Sequence, residues 1–123
     1  MTESYIFDTY AIIESINGNI NYKNYSNKKI IINEFIFAEL CYVLNRDSYK
    51  YESPEEDLEK LIPFIIHLNP QTIKKAMLFR LNNKKRNLSI TDCIGYLMAL
   101  DLGIKFLTGD MQFKDLPNIE FVK

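Results

Sequence analysis

At 123 residues the chain is long enough for one domain with a substantial core and too short for two. With 47% apolar residues, 25% charged residues and a formal net charge of −1, it groups with soluble globular proteins, which excludes a basic nucleic-acid coat and an acidic disordered tail. No run approaches the roughly 18 apolar residues of a membrane span, and Met1-Thr2-Glu3-Ser4 lacks the basic start of a signal peptide, so a cytoplasmic protein with no membrane partner is expected.

Ser4-Tyr5-Ile6-Phe7 reads as a short strand ending at Asp8, and the spacing of apolar residues from Thr9 to Ile16 predicts a helix. Asn17 to Lys29, rich in Asn, Tyr and Lys, reads as a mobile polar loop, followed by a second strand at Ile30-Ile31-Ile32. From Phe35 to Leu44 every residue is apolar or aromatic except Glu39, which predicts a helix buried nearly all round. Ser53-Pro54-Glu55-Glu56 has the pattern of a capping box with Pro at the first helical position, opening a helix that turns Leu58, Leu61 and Ile62 inward. Phe64 to Leu68 fits either a last helical turn or a strand, with a strand favoured for part of it.

Pro70 to Lys84 predicts a helix with Ile73, Ala76, Met77 and Leu81 inward and a basic face outward. In the last third, Ser89 caps a helix that Gly103 ends in the left-handed conformation, Ile104 to Leu107 forms a strand, and Ile119 to Val122 closes as another. Strands alternating with helices across residues 1–123 imply a single α/β domain: a three-layer α/β/α arrangement with a mostly parallel central sheet and right-handed crossovers.

His67 is the only histidine, so a histidine-based triad or a multi-histidine zinc site has no material. Cys41 and Cys93 lie far apart in apolar helical stretches without CxxC spacing, as reduced core residues do. Lys74, Lys75, Arg80, Lys84, Lys85 and Arg86 fall in a stretch without any acid, which is either a solvated helix face or a basic rim for phosphates.

Four acids call for an explanation. Asp8 follows the first strand, Asp92 opens the last long helix in a Ser89-x-x-Asp92 arrangement, and Asp110 sits in a turn after a strand; each can be read as a cap. Glu39 has no such role, and in an apolar helix it needs an ion pair, a proton or a cation. Acids placed after parallel strands gather at the edge where open α/β sheets bind ligands. Carboxylates brought together there raise one another's pKa, a conflict that a hard Mg²⁺ or Mn²⁺ ion resolves, and phosphodiester hydrolysis is the chemistry such a site suits. The sequence has no dinucleotide fingerprint or Gly-rich phosphate cradle; Tyr10 stands where a haloacid-dehalogenase-like phosphatase would carry a second Asp, and the paired acids of a receiver domain are missing.

Phe7-Asp8-Thr9, Phe37-Ala38-Glu39-Leu40, Leu88-Ser89-Ile90-Thr91-Asp92-Cys93-Ile94 and Leu107-Thr108-Gly109-Asp110-Met111-Gln112-Phe113, in this order and spacing, resemble the PIN-domain family, especially its small VapC-type toxins. The resemblance implies a metal-dependent endoribonuclease in which Asp8, Glu39, Asp92 and Asp110 line a Mg²⁺ or Mn²⁺ site, with Thr9 and Thr108 supporting it and products bearing 5′-phosphate and 3′-hydroxyl ends. It also implies a toxin-antitoxin pair with a VapB-like antitoxin, a homodimer, and contacts through the apolar first helices and the tyrosines Tyr22 and Tyr25. Lys84, Lys85 and Arg86 are candidates for guiding the RNA backbone. Two positions depart from the family's usual pattern: Asn33, where many relatives have a small hydroxyl residue, and Gly109, where many have a bulkier one. A PIN-fold module acting through protein or RNA contacts with little catalysis is the alternative.

Overall fold

The computed structural model describes residues 3–123. Chain order runs β1 (Ser4–Phe7), α1 (Thr9–Ile16), β2 (Lys29–Ile31), α2 (Glu34–Arg46), α3 (Pro54–Leu61), α4 (Pro70–Asn82), α5 (Ile90–Leu102), β3 (Lys105–Thr108) and β4 (Ile119–Phe121), with short 3₁₀ turns between several of them. All strand pairs are parallel and the order in the sheet is β2-β1-β3-β4, with Ile6 opposite Ile31 on one side and Phe106 on the other.

The apolar runs explain this. Ile6, Phe7, Phe106 and Leu107 are almost wholly buried, as strands covered on both faces must be. Each such side chain contributes about 1.5–3 kcal/mol by leaving water. Both α1 and α5 pack on β1 and β3, giving the three-layer α/β/α fold. From β1 the chain leaves toward β2, and from β3 it leaves toward β4 on the opposite side. The crevice beyond the carboxyl ends of β1 and β3 is therefore a topological switch point.

Helix ends follow local chemistry. Gly103 ends α5 at φ 69°, and Asn33 caps α2 by accepting from the Ile36 N–H at 2.9 Å. Asn33 is fully buried and its amide also reaches the Met98 sulfur at 3.6 Å, so the departure at this position retains a cap. Among the described residues no helix is long and apolar enough to cross a membrane.

Several expectations are corrected. Helix α2 is not buried all round: Ile36, Leu40 and Leu44 face the core, whereas Phe35 and Tyr42 are exposed and Glu39 is half-buried. Apolar composition masked an amphipathic helix whose outer face includes two exposed aromatic rings. Ser53 forms no side-chain cap, although α3 does start at Pro54. On α4, Leu81 is exposed rather than inward, while Ala76 is buried. Phe64 to Leu68 is no full strand: Ile62–Phe64 is a 3₁₀ turn and only Ile65 bridges the sheet edge, at Ile32. The segment from Asn17 to Lys29 contains a 3₁₀ helix, Ile20–Tyr25, tied to the last strand: the Tyr22 hydroxyl donates to the Val122 backbone oxygen at 2.6 Å and that of Tyr25 to Glu120 at 2.6 Å. Tyr22 is buried and Tyr25 half-buried, so these rings serve the fold rather than an outer contact. Cys41 and Cys93 are free thiols, the first half-buried and the second buried.

Candidate functional site

At the switch point lies an open cleft of about 450 Å³ that Asp8, Glu39, Asp92 and Asp110 line together with Thr9. Its acids come from four separate elements, and each of the aspartates uses one oxygen to fix its own loop. Asp8 Oδ1 accepts from the Ala11 N–H at 2.8 Å, capping α1. Asp92 completes a capping box: its Oδ2 accepts from the Ser89 N–H and Ser89 Oγ accepts from the Asp92 N–H, both at 3.0 Å. Asp110 Oδ1 accepts from the Gln112 N–H at 2.9 Å, opening the turn Met111–Phe113. Capping and clustering are thus compatible readings, because an acid bonded to the first turn of a helix is also rotationally fixed.

Thr108 links two of the loops. Its hydroxyl donates to Asp8 Oδ2 and accepts from the Asp110 N–H at 3.0 Å. Phe113, fully buried, anchors the turn after Asp110 by packing on Phe106 and Tyr96, with ring centroids 5.0 and 5.8 Å apart. Glu39 enters from the middle of α2, which packs on both α1 and α5 and so walls the cleft.

The electrostatics are those of crowded, partly desolvated acids. Asp8 is 4% exposed, and burial pushes its pKa up to about 7; the Asp92 and Asp110 charges add to the rise, against hydrogen bonds from Thr108 and Ala11. Asp92 is raised as well, chiefly by burial, with the charges of Asp110 and Glu39 contributing and its bonds to Ser89 opposing. The donor set is all oxygen, the chemistry of hard Mg²⁺ or Mn²⁺ sites. Thr9 lines the same cleft, and its Oγ1, buried beneath that surface, is the buried polar side-chain atom without a hydrogen-bond partner among the described residues. Among the described residues no three acids stand close enough to enclose an ion directly.

Lys84, Lys85 and Arg86 do not line the cleft. Arg86 is engaged with Asp115 at 2.7 Å and with the Gln112 backbone oxygen at 3.2 Å, while both lysines are exposed. His67 is exposed and bonded to Glu34 at 2.8 Å. Four further lining residues were given no role in the site by the sequence: Tyr10, Gly109, Met111 and Lys123. A Cβ on Gly109 would sit 2.2 Å from Tyr10 Cε1 and 2.5 Å from the Val122 backbone oxygen, so the glycine is what lets the Tyr10 ring and the end of the last strand close on this loop.

No match was found among curated protein sequences. Solved structures share the fold at low identity: a toxin-antitoxin complex from Klebsiella pneumoniae (TM-score 0.73, 16% identity, covering 94% of this chain and 95% of that one) and VapC20 of Mycobacterium tuberculosis, described as a Sarcin-Ricin loop cleaving toxin (0.75, 14%, 97% and 99%). VapBC2 from Rickettsia felis bound to a promoter DNA fragment is also similar (0.70, 20%, 98% and 99%). The PIN domain model matches residues 5–119, which takes in β2, β3, nearly all of β1, the first residue of β4 and all four acids of the cleft. By that match, on a parallel sheet with its acids at the switch point, the chain belongs to the PIN domain family.

Proposed function

We propose that this chain is a divalent-metal-dependent endoribonuclease and the toxin of a toxin-antitoxin pair. The observation that carries the reading is the meeting of Asp8, Glu39, Asp92 and Asp110, from four elements, in one cleft at the switch point. Asp8, Glu39 and Asp92 would hold Mg²⁺ or Mn²⁺, directly or through water, and Asp110 would complete the negative pocket. When bound, the ion supplies positive charge for the oxygens of a phosphodiester transition state and makes water easier to deprotonate. The chain's own part is positional. Thr108 keeps Asp8 oriented, and the caps hold the Asp92 and Asp110 carboxyls.

Two of the similar structures are described as a toxin-antitoxin complex and as VapBC2, which supports a VapB-like antitoxin as this chain's partner. Exposed Phe35 and Tyr42 on α2, with Ile62 and Phe64 after α3, supply apolar surface for that partner or for a homodimer.

Thermal melting with Mn²⁺, alongside cleavage of single-stranded RNA, tests this in the wild type, Asp8→Asn and Asp92→Asn. At a hundred times its dissociation constant the ion stabilises the wild type by about 2.7 kcal/mol. Both variants lose that gain and the cleavage. Should Mn²⁺ leave the wild type unchanged, the metal-dependent reading gives way to a weakly catalytic binding module. If Asp92→Asn instead keeps normal metal-free stability and full nuclease activity, Asp92 is a helix cap only.

A further inference from the structure

We propose that Lys123 is the phosphate-binding cation of the acidic cleft, fixed there by Tyr10, Gly109 and the polar segment from Asn17 to Lys29; this rests on the nuclease reading above. A cleft with four acids repels a polyanion, yet RNA hydrolysis requires one to enter. Among the described residues, Lys123 is the sole cationic side chain lining it. Lys84 and Lys85 stand elsewhere, and Arg86 is held by Asp115.

Both the backbone and the side chain of Lys123 are placed. Beyond β4, the Val122 N–H donates to the Thr108 backbone oxygen at 2.9 Å, which keeps the chain beside β3. Tyr22 donates to the Val122 backbone oxygen at 2.6 Å, and the Asn19 side-chain amide donates to the Lys123 backbone oxygen at 3.2 Å. The Lys123 ammonium donates to the Gly109 backbone oxygen at 3.2 Å and sits 5.5 Å from the centre of the Tyr10 ring, a cation–π distance. Gly109 lies between Thr108 and Asp110, so the charge rests against the loop that carries an acid of the cleft.

Despite this neighbourhood Lys123 makes no ion pair among the described residues. Of its three N–H donors one is taken by Gly109 O, which leaves donors for a phosphate oxygen. The asparagine- and tyrosine-rich segment thereby gains a purpose: Asn19 and Tyr22 hold the backbone from which the lysine reaches the lip of the cleft.

The test uses the full chain with a labelled single-stranded RNA in the wild type, Lys123→Met, Lys123→Arg and Lys60→Met. Binding is followed by fluorescence anisotropy with Ca²⁺ across a salt series, and cleavage is followed with Mn²⁺. Losing one phosphate contact lowers the magnitude of the slope of log K against log salt by about 0.7. Lys123→Met shows that drop together with a fall in kcat of roughly 100-fold at unchanged Tm. Lys123→Arg restores most of the slope, and Lys60→Met, at an exposed position on α3 outside the cleft, leaves kcat as it was. An unchanged slope and kcat in Lys123→Met overturns the inference, as does a Lys123→Arg variant no better than the methionine. If the wild type neither binds RNA nor responds to Mn²⁺, the nuclease reading falls and takes this one with it; a wild type that binds and cleaves beside an unaltered Lys123→Met removes this one alone.

Discussion

Replacing Asp8 by Asn should make the metal-free protein more stable at neutral pH, although it removes a member of a buried hydrogen-bond pair. Asp8 has a pKa of about 7 in place of an ordinary 3.8, because burial disfavours its charge. Below pH 3.8 the group is protonated in both folded and unfolded chains and contributes nothing. Between 3.8 and 7 the unfolded chain releases a proton that the folded chain keeps, so stability falls as pH rises; above 7 the loss is complete. At about 1.4 kcal/mol per pH unit, the interval amounts to roughly 4 kcal/mol.

Asparagine carries no charge and still accepts from the Ala11 N–H, but its amide N–H₂ faces the Thr108 hydroxyl, which must turn from donor to acceptor. That costs about 1 kcal/mol at every pH. The variant is therefore about 3 kcal/mol more stable than the wild type at pH 8 in EDTA, and slightly less stable below about pH 4.5. Urea unfolding from pH 4 to 8 measures both curves by linear extrapolation. Adding Mn²⁺ at pH 8 lifts only the wild type and narrows or reverses the order. Parallel curves in EDTA, or a wild type more stable at pH 8 without metal, would refute the idea that Asp8 is held at a desolvation cost.

Thr108→Val deletes the hydroxyl that serves both Asp8 and the Asp110 N–H, and it removes a bond that holds the Asp8 pKa down. We expect a loss of about 2 kcal/mol at pH 5, where Asp8 is largely protonated, and a larger loss at pH 8 by chemical denaturation; a variant within 0.5 kcal/mol of the wild type at both pH values would count against the bridge. Gly109→Ala forces its new methyl into Tyr10 and against the Val122 backbone oxygen. The cost is about 1–3 kcal/mol, and adding Tyr10→Leu recovers part of it. Strictly additive losses in the double variant would show that the two positions do not touch.

Much of the fold was legible because it is written locally. Strand β1, helix α1 and the stop at Gly103 follow from apolar period, caps and one left-handed glycine, and the alternation of elements is enough to require a parallel sheet. Acids at the ends of β1 and β3 were visible for the same reason, since the carboxyl end of a parallel strand is a place that the sequence marks. Glu39 was visible too, but for a mistaken cause: an apolar composition suggested full burial, whereas only the packing of α2 on α1 and α5 decides which side of that helix is wet.

Other features belong to the tertiary structure alone. Nothing near Lys123 in the chain marks it as a neighbour of Gly109 and Tyr10, and Tyr22 reads as a loop residue until Val122 comes within 2.6 Å of it. The raised pKa of Asp8 likewise has no sequence signal, because it arises from burial first and then from Asp92 and Asp110, residues about a hundred positions away. Patterns with a period of two or 3.6 residues can be read from a string of letters. Contacts across the ends of β1, β3 and β4 exist only once the sheet has ordered its strands, and those contacts decide how the acids, Thr9 and Lys123 share one cleft.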